Sequence, residues 1–205
     1  MLGRMLSAAL LGLDAHPVEV ETHVAAAMPA FVIVGLPDAA VQESRERVRA
    51  AIVNAGFTFP ARRVIVNLAP ADMRKSGPLP IALSFLVATG QAAVADDRLA
   101  AVGELSLDAT VRPVAGVLAL AEGVRRAGLR GLIVPSANAP EAALVAGVHV
   151  YPVQTLAEAV GVLTSGGAGS ATAAPVDVAG LLAAPAARHA DLADVAGQQV
   201  PRRAM

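Results

Sequence analysis

Short Val- and Ile-rich runs alternate along the chain with Ala-, Arg- and Glu-rich stretches of helical spacing, the pattern of an α/β domain. The first predicted elements are a meander of strands near 4–13, 17–25 and 30–34. Asp38 is placed to cap a helix that runs to about Asn54 and is ended by Gly56. In that helix Val41, Val48, Ala51 and Ile52 share one face, with Arg45, Glu46 and Arg49 elsewhere. A strand over Arg63–Leu68 and a loop over Ala69–Leu79 follow, then a helix opened by Pro80 and closed at Gly90. Val102–Leu107 and Thr110–Pro113 read as a hairpin and Ala115–Ala127 as a helix stopped by Gly128. The last elements predicted are a strand at Gly131–Val134, a helix at Ala139–Ala146, a strand at Val148–Pro152 and a helix at Gln154–Leu163.

After Leu163 the pattern dissolves into Gly, Ser, Ala and Thr, so residues 1–163 are expected to form the domain and 164–190 a flexible linker. Apolar residues make up 55% of the 205, enough for a sizeable core, but aromatics only 2%. Four Phe and one Tyr leave little for a base-stacking platform. The opening apolar run has no clear cleavage pattern before Asp14, and no stretch is long enough to span a bilayer. A cytoplasmic protein without membrane attachment is expected.

Several chemistries find no support in the residues. There is no cysteine, and His16, His23, His149 and His189 are scattered without metal-ligand spacing. No catalytic, metal or cofactor site is therefore expected. No GxxxxGK[ST] loop exists to cradle phosphates, so the chain should not hydrolyse ATP by itself. The only lysine is Lys75, and its neighbour Ser76 is poorly placed for a Ser–Lys dyad.

Charge changes the picture locally. The net charge is −1, yet Arg45, Arg47, Arg49, Arg62, Arg63, Arg74 and Lys75 crowd the stretch from 45 to 75, against Glu46 and Asp72. Arg45 and Arg49, four residues apart, share a helical face, and Arg62-Arg63 and Arg74-Lys75 flank the next strand. If those ends converge, Arg45, Arg49, Arg62, Arg63, Arg74 and Lys75 make a phosphate-binding patch. The alternative is an ordinary solvated face with pairs to Glu43 and Glu46.

Three separated blocks carry a resemblance: Gly35-Leu36-Pro37-Asp38, Val41-Gln42-Glu43-Ser44-Arg45-Glu46-Arg47-Val48-Arg49, and Val66-Asn67-Leu68-Ala69-Pro70-Ala71-Asp72. Val102-Gly103-Glu104-Leu105, Val111-Arg112-Pro113-Val114 and Leu132-Ile133-Val134-Pro135 with Asn138 agree in the same order. Together they resemble the magnesium-chelatase-like AAA+ family, which includes a branch-migration helicase of natural transformation. The resemblance covers roughly residues 4–163, and Asp191–Gln198 is similar to the lead-in to that family's ATPase module. It implies that 191–205 begin a truncated AAA+ module, with ATP and magnesium used by the missing part and none here.

The family's N-terminal domain is similar to the Lon proteolytic domain, with a ribosomal-S5-domain-2-like α/β (α+β) fold. On that likeness Leu79 stands where the protease nucleophile would be and Leu118 where its lysine would follow, so the dyad is absent. The chain also passes from Pro78 directly to Leu79-Pro80, a shorter loop than the family's, without its acidic residue. The function implied is DNA contact without sequence preference, together with self-association into a ring. A purely structural oligomerisation module without DNA binding is the alternative, and a part in inserting magnesium into a porphyrin is a third.

Overall fold

The computed structural model describes residues 1–35, 39–70 and 77–176, the side chains of 39–43 excepted. The expected cap Asp38, the loop residues Asp72, Arg74, Lys75 and Ser76, the linker from 177 and the 191–205 stretch lie outside the described residues.

Strands β1 (Leu2–Leu11) and β2 (Asp14–Ala25) form an antiparallel hairpin that pairs Leu11 with Asp14 across the turn at Gly12-Leu13. The turn falls two residues before the expected end of the first strand. Gly12 takes a φ of 64°, which turns the chain although Leu13 prolongs the apolar run. β3 (Ala30–Val34) lies parallel to β4 (Arg63–Ala69), and β4 lies antiparallel to β2.

On the other side of β1 come β5 (Leu99–Ala101), β8 (Gly131–Pro135) and β9 (His149–Val153), all parallel. The seven-stranded sheet thus reads β3-β4-β2-β1-β5-β8-β9, mostly parallel, and the chain is mixed α/β. β5 was absent from the sequence expectation. Its three residues are all buried, so it carries no alternation to detect. The hairpin expected at 102–113 shrinks to β6 (Glu104–Leu105) and β7 (Val111–Arg112).

Helices cover both faces. α1 (Ala39–Asn54), α2 (Leu79–Ala88) and α5 (Leu156–Ser165) share one core, which holds Ile52, Phe85 and Leu156 with Val64, Val66 and Leu68 of β4. α3 (Val117–Arg126) and the short α4 (Ala139–Ala142) build the second, around Val117, Ala121, Leu132 and Val134. α4 ends well before the expected Ala146, because the chain turns from Ala143 toward Gly147, whose φ is 88°.

Close approach of α2 to β1 depends on Gly3, where an added Cβ would collide with the Ser84 carbonyl and the Ala88 nitrogen. Beneath α2 the Thr22 and Ser84 hydroxyls meet at 2.6 Å. After α5 the backbone returns to the sheet edge, where the Ala173 N–H donates to the Val150 carbonyl at 2.9 Å.

Candidate nucleic-acid interface

The residues of the basic cluster are distributed by two elements and the loop between them. Val48, Ala51 and Ile52 bury the inner face of α1, which leaves Arg45 and Arg49 exposed one turn apart on its outer side. The loop from α1 to β4 is pinned at two points. Phe57 N–H donates to the Ile52 carbonyl at 3.0 Å. The Gln91 amide accepts from Thr58 N–H at 2.7 Å and donates to the Thr58 carbonyl at 2.9 Å. This clamp presents Phe59 to α2, where its ring stacks on the buried Phe85 with centroids 4.5 Å apart and planes within 7°. Phe31 of β3 adds a tilted contact at 5.9 Å.

Arg49 completes the arrangement, its guanidinium carbon 5.7 Å from the Phe59 ring centroid. A cleft of about 210 Å³ opens here, with Phe31, Glu46, Arg49, Phe59 and Arg62 in its lining. Arg45 stands at the same edge, where its Nη1 donates to the Phe31 carbonyl at 3.4 Å. Arg45, Arg49 and Arg62 are thus brought to one side of the molecule, with the Glu46 carboxylate opposing them.

Arg63 is not part of this group. It opens β4 at the first outward position of the pleat, while Val64, Val66 and Leu68 point into the core that α1 covers. Its side chain therefore leaves from the opposite face of the sheet. Arg74 and Lys75 lie outside the described residues. Arg47, on α1, is held by an ion pair to Glu104 at the start of β6. Sequence reasoning did not find Phe31, Phe59 or Gln91. The pair Phe57-Thr58-Phe59 just after the helix was the one local signal of an aromatic wall.

A second cleft, of about 450 Å³, lies between the end of β1 and the hairpin, with Leu10, Gly77, Gly103, Glu104 and Val114 among its lining. Nearby, the Leu79 N–H donates to the Gly103 carbonyl at 3.3 Å. Of the two positions that the Lon likeness singles out, Leu79 is fully buried at the start of α2 and Leu118 is 45% exposed on α3. Among the described residues no cluster of three or more His, Asp or Glu side chains could hold a metal ion. No described helix is long and apolar enough to cross a membrane. The sequence has no GxxxxGK[ST] phosphate loop.

The profile of the family described as subunit ChlI of Mg-chelatase matches residues 20–138, from β2 through β8 and including every residue of the Phe59 cleft. The chain belongs to this family. An uncharacterised protein of Mycobacterium tuberculosis is 42% identical over 100% of this chain and 40% of its own length. YifB of Escherichia coli is 36% identical over 96% of the chain and 38% of that protein. Competence protein ComM of Haemophilus influenzae is 36% identical over 100% of the chain and 40% of that protein. This ChlI-family chain is thus ComM- and YifB-like, and it spans about 40% of the length of several relatives it matches.

Proposed function

We propose that the chain is a DNA-contacting and ring-organising domain of a ComM-like AAA+ branch-migration helicase that acts in recombination and natural transformation. The observation that carries the DNA contact is the convergence of Arg45, Arg49 and Arg62 on one edge, with two of them lining a single cleft. Guanidinium groups held at a helix surface and the adjoining loop suit phosphate oxygens, and such contacts carry no sequence preference. On this reading ATP and magnesium serve an ATPase module in the remaining length of the relatives, and the domain works in the cytoplasm. Its fold is the Lon-like, ribosomal-S5-type arrangement kept without the protease dyad.

Fluorescence anisotropy of labelled DNA across a salt series tests the contact. Three arginines predict a log–log slope near −3 on duplex, at about −0.9 per phosphate. A well-folded sample that fails to bind at low salt overturns it.

One observation favours a second reading, in which the domain only assembles the ring. Along β4 the outward residues Arg63, Ile65, Asn67 and Ala69 are half-buried or exposed, and on β3 Val34 is 41% exposed. This part of the sheet keeps apolar surface at its outer face. Concentration-dependent self-association without DNA binding would select that reading.

A further inference from the structure

The aromatic content of this chain is low, yet its four phenylalanines gather in one place. Phe31, Phe57, Phe59 and Phe85 all join the same core, and three of them form a continuous set of ring contacts. The set leads from inside to outside: Phe85 is fully buried, Phe59 is half-buried on top of it, and the guanidinium carbon of the exposed Arg49 lies 5.7 Å from the Phe59 ring centroid. The column ends in a flat cation.

Such an end has a definite preference. An exposed guanidinium within cation–π reach of a ring is itself a planar surface, and planar π-systems stack on such surfaces. Paired bases in duplex DNA already stack on their neighbours and present only their edges. An unpaired base has a face to offer. Glu46, one turn before Arg49 on α1, lines the same cleft and supplies an acceptor for ring or exocyclic N–H groups, while Arg62, also in the lining, can meet the adjoining phosphate.

We infer that the Phe85–Phe59–Arg49 column is a stacking platform for an unpaired nucleobase, so that the ligand of this cleft is single-stranded DNA. The inference rests on the DNA reading above and makes it specific: charge supplies attraction, and the column selects strands whose bases are unstacked. The weight of aromatic stacking in single-strand binding, usually borne by exposed Phe, Tyr or Trp, is here carried by an arginine set beside a ring.

The test uses the full 205-residue chain and three labelled oligonucleotides of one length: a mixed-sequence single strand, the same strand with abasic sites through its central half, and the blunt duplex. The expected result is that the intact strand binds at least about fivefold more tightly than the abasic strand, the low end of what one base stack supplies. Arg49→Lys, which keeps the charge and loses the plane, should bring the intact strand down to the abasic level and leave the salt slope unchanged. Equal affinity for intact and abasic strands, or a base dependence that survives Arg49→Lys, overturns the platform while the phosphate contact stands. Absence of any DNA binding at low salt overturns both. The abasic comparison needs no variant, so a folding defect cannot obscure it.

Discussion

The Thr22 and Ser84 hydroxyls lie 2.6 Å apart in the middle of the larger core, both fully buried, and Ser84 also reaches the Ile81 carbonyl at 3.0 Å. Each hydroxyl has one proton. Ser84 donates its own to Ile81, so Thr22 donates to Ser84, and the order of the chain is set.

The two ends should therefore differ in mutation. Ser84→Ala leaves the Thr22 donor buried without its partner and should cost about 1–3 kcal/mol. Thr22→Val keeps the shape and leaves Ser84 bonded to Ile81, so the loss should be smaller, about 0.5–1.5 kcal/mol. The double variant should cost less than the sum of the two. Urea unfolding of the four proteins measures the cycle, and strict additivity would show that the pair is not coupled.

Gly3 sets the distance between α2 and β1. Gly3→Ala directs a methyl group into the backbone of Ser84 and Ala88, where no rotamer change can relieve it. A loss of about 1–3 kcal/mol or more in urea unfolding is expected, with the fluorescence and circular-dichroism transitions shifted together. A wild-type midpoint would mean that the helix is free to move away.

The faces of the sheet separate two neighbouring arginines. Arg62→Gln together with Arg49→Gln should flatten the salt dependence of DNA binding by about 2 in slope, whereas Arg63→Gln should leave it unchanged. Anisotropy titrations at four or five salt concentrations decide this. An equal effect of Arg63→Gln would show that DNA also follows the other face.

Asp96 joins the segment before β5 to the residue that precedes β8. Arg98 N–H donates to its Oδ1 at 2.9 Å and Arg130 Nε lies 3.1 Å from its Oδ2. The Arg98 backbone bond, and after it the Arg130 and Arg98 charges, hold its carboxyl below the ordinary carboxylate range. A folded pKa below the unfolded one means that Asp96 contributes stability above the unfolded value, near 4, and loses it as pH falls through the lower folded value. Asp96→Asn should flatten the fall of stability as pH drops below about 4, read from urea midpoints. An unchanged pH profile would remove Asp96 from that role.

How much of the site was legible can be judged from its members. Arg45 and Arg49 were readable as neighbours because helical spacing is a local property. The Arg47–Glu104 pair was not, since Glu104 opens β6, 57 residues further along. Phe59 and Phe85 looked like two scattered apolar residues, and the thin aromatic composition argued against a stacking surface. Their meeting depends on Gln91, which ties the α1–β4 loop to the end of α2 through Thr58.

By itself the sequence determined the α/β class, the order of most elements and the blocks that place the chain in its family. Each of these rests on short-range periodicity, glycine and proline punctuation, or residue identity within a few positions. Tertiary structure alone decided that three-residue β5 sits inside the sheet, that Arg62 and Arg63 leave for different sides, and that Arg49 caps a column of rings. A period shows which face of a helix or strand is apolar. It does not show which distant element will cover that face, and charge and aromatic surface were brought together here by that covering.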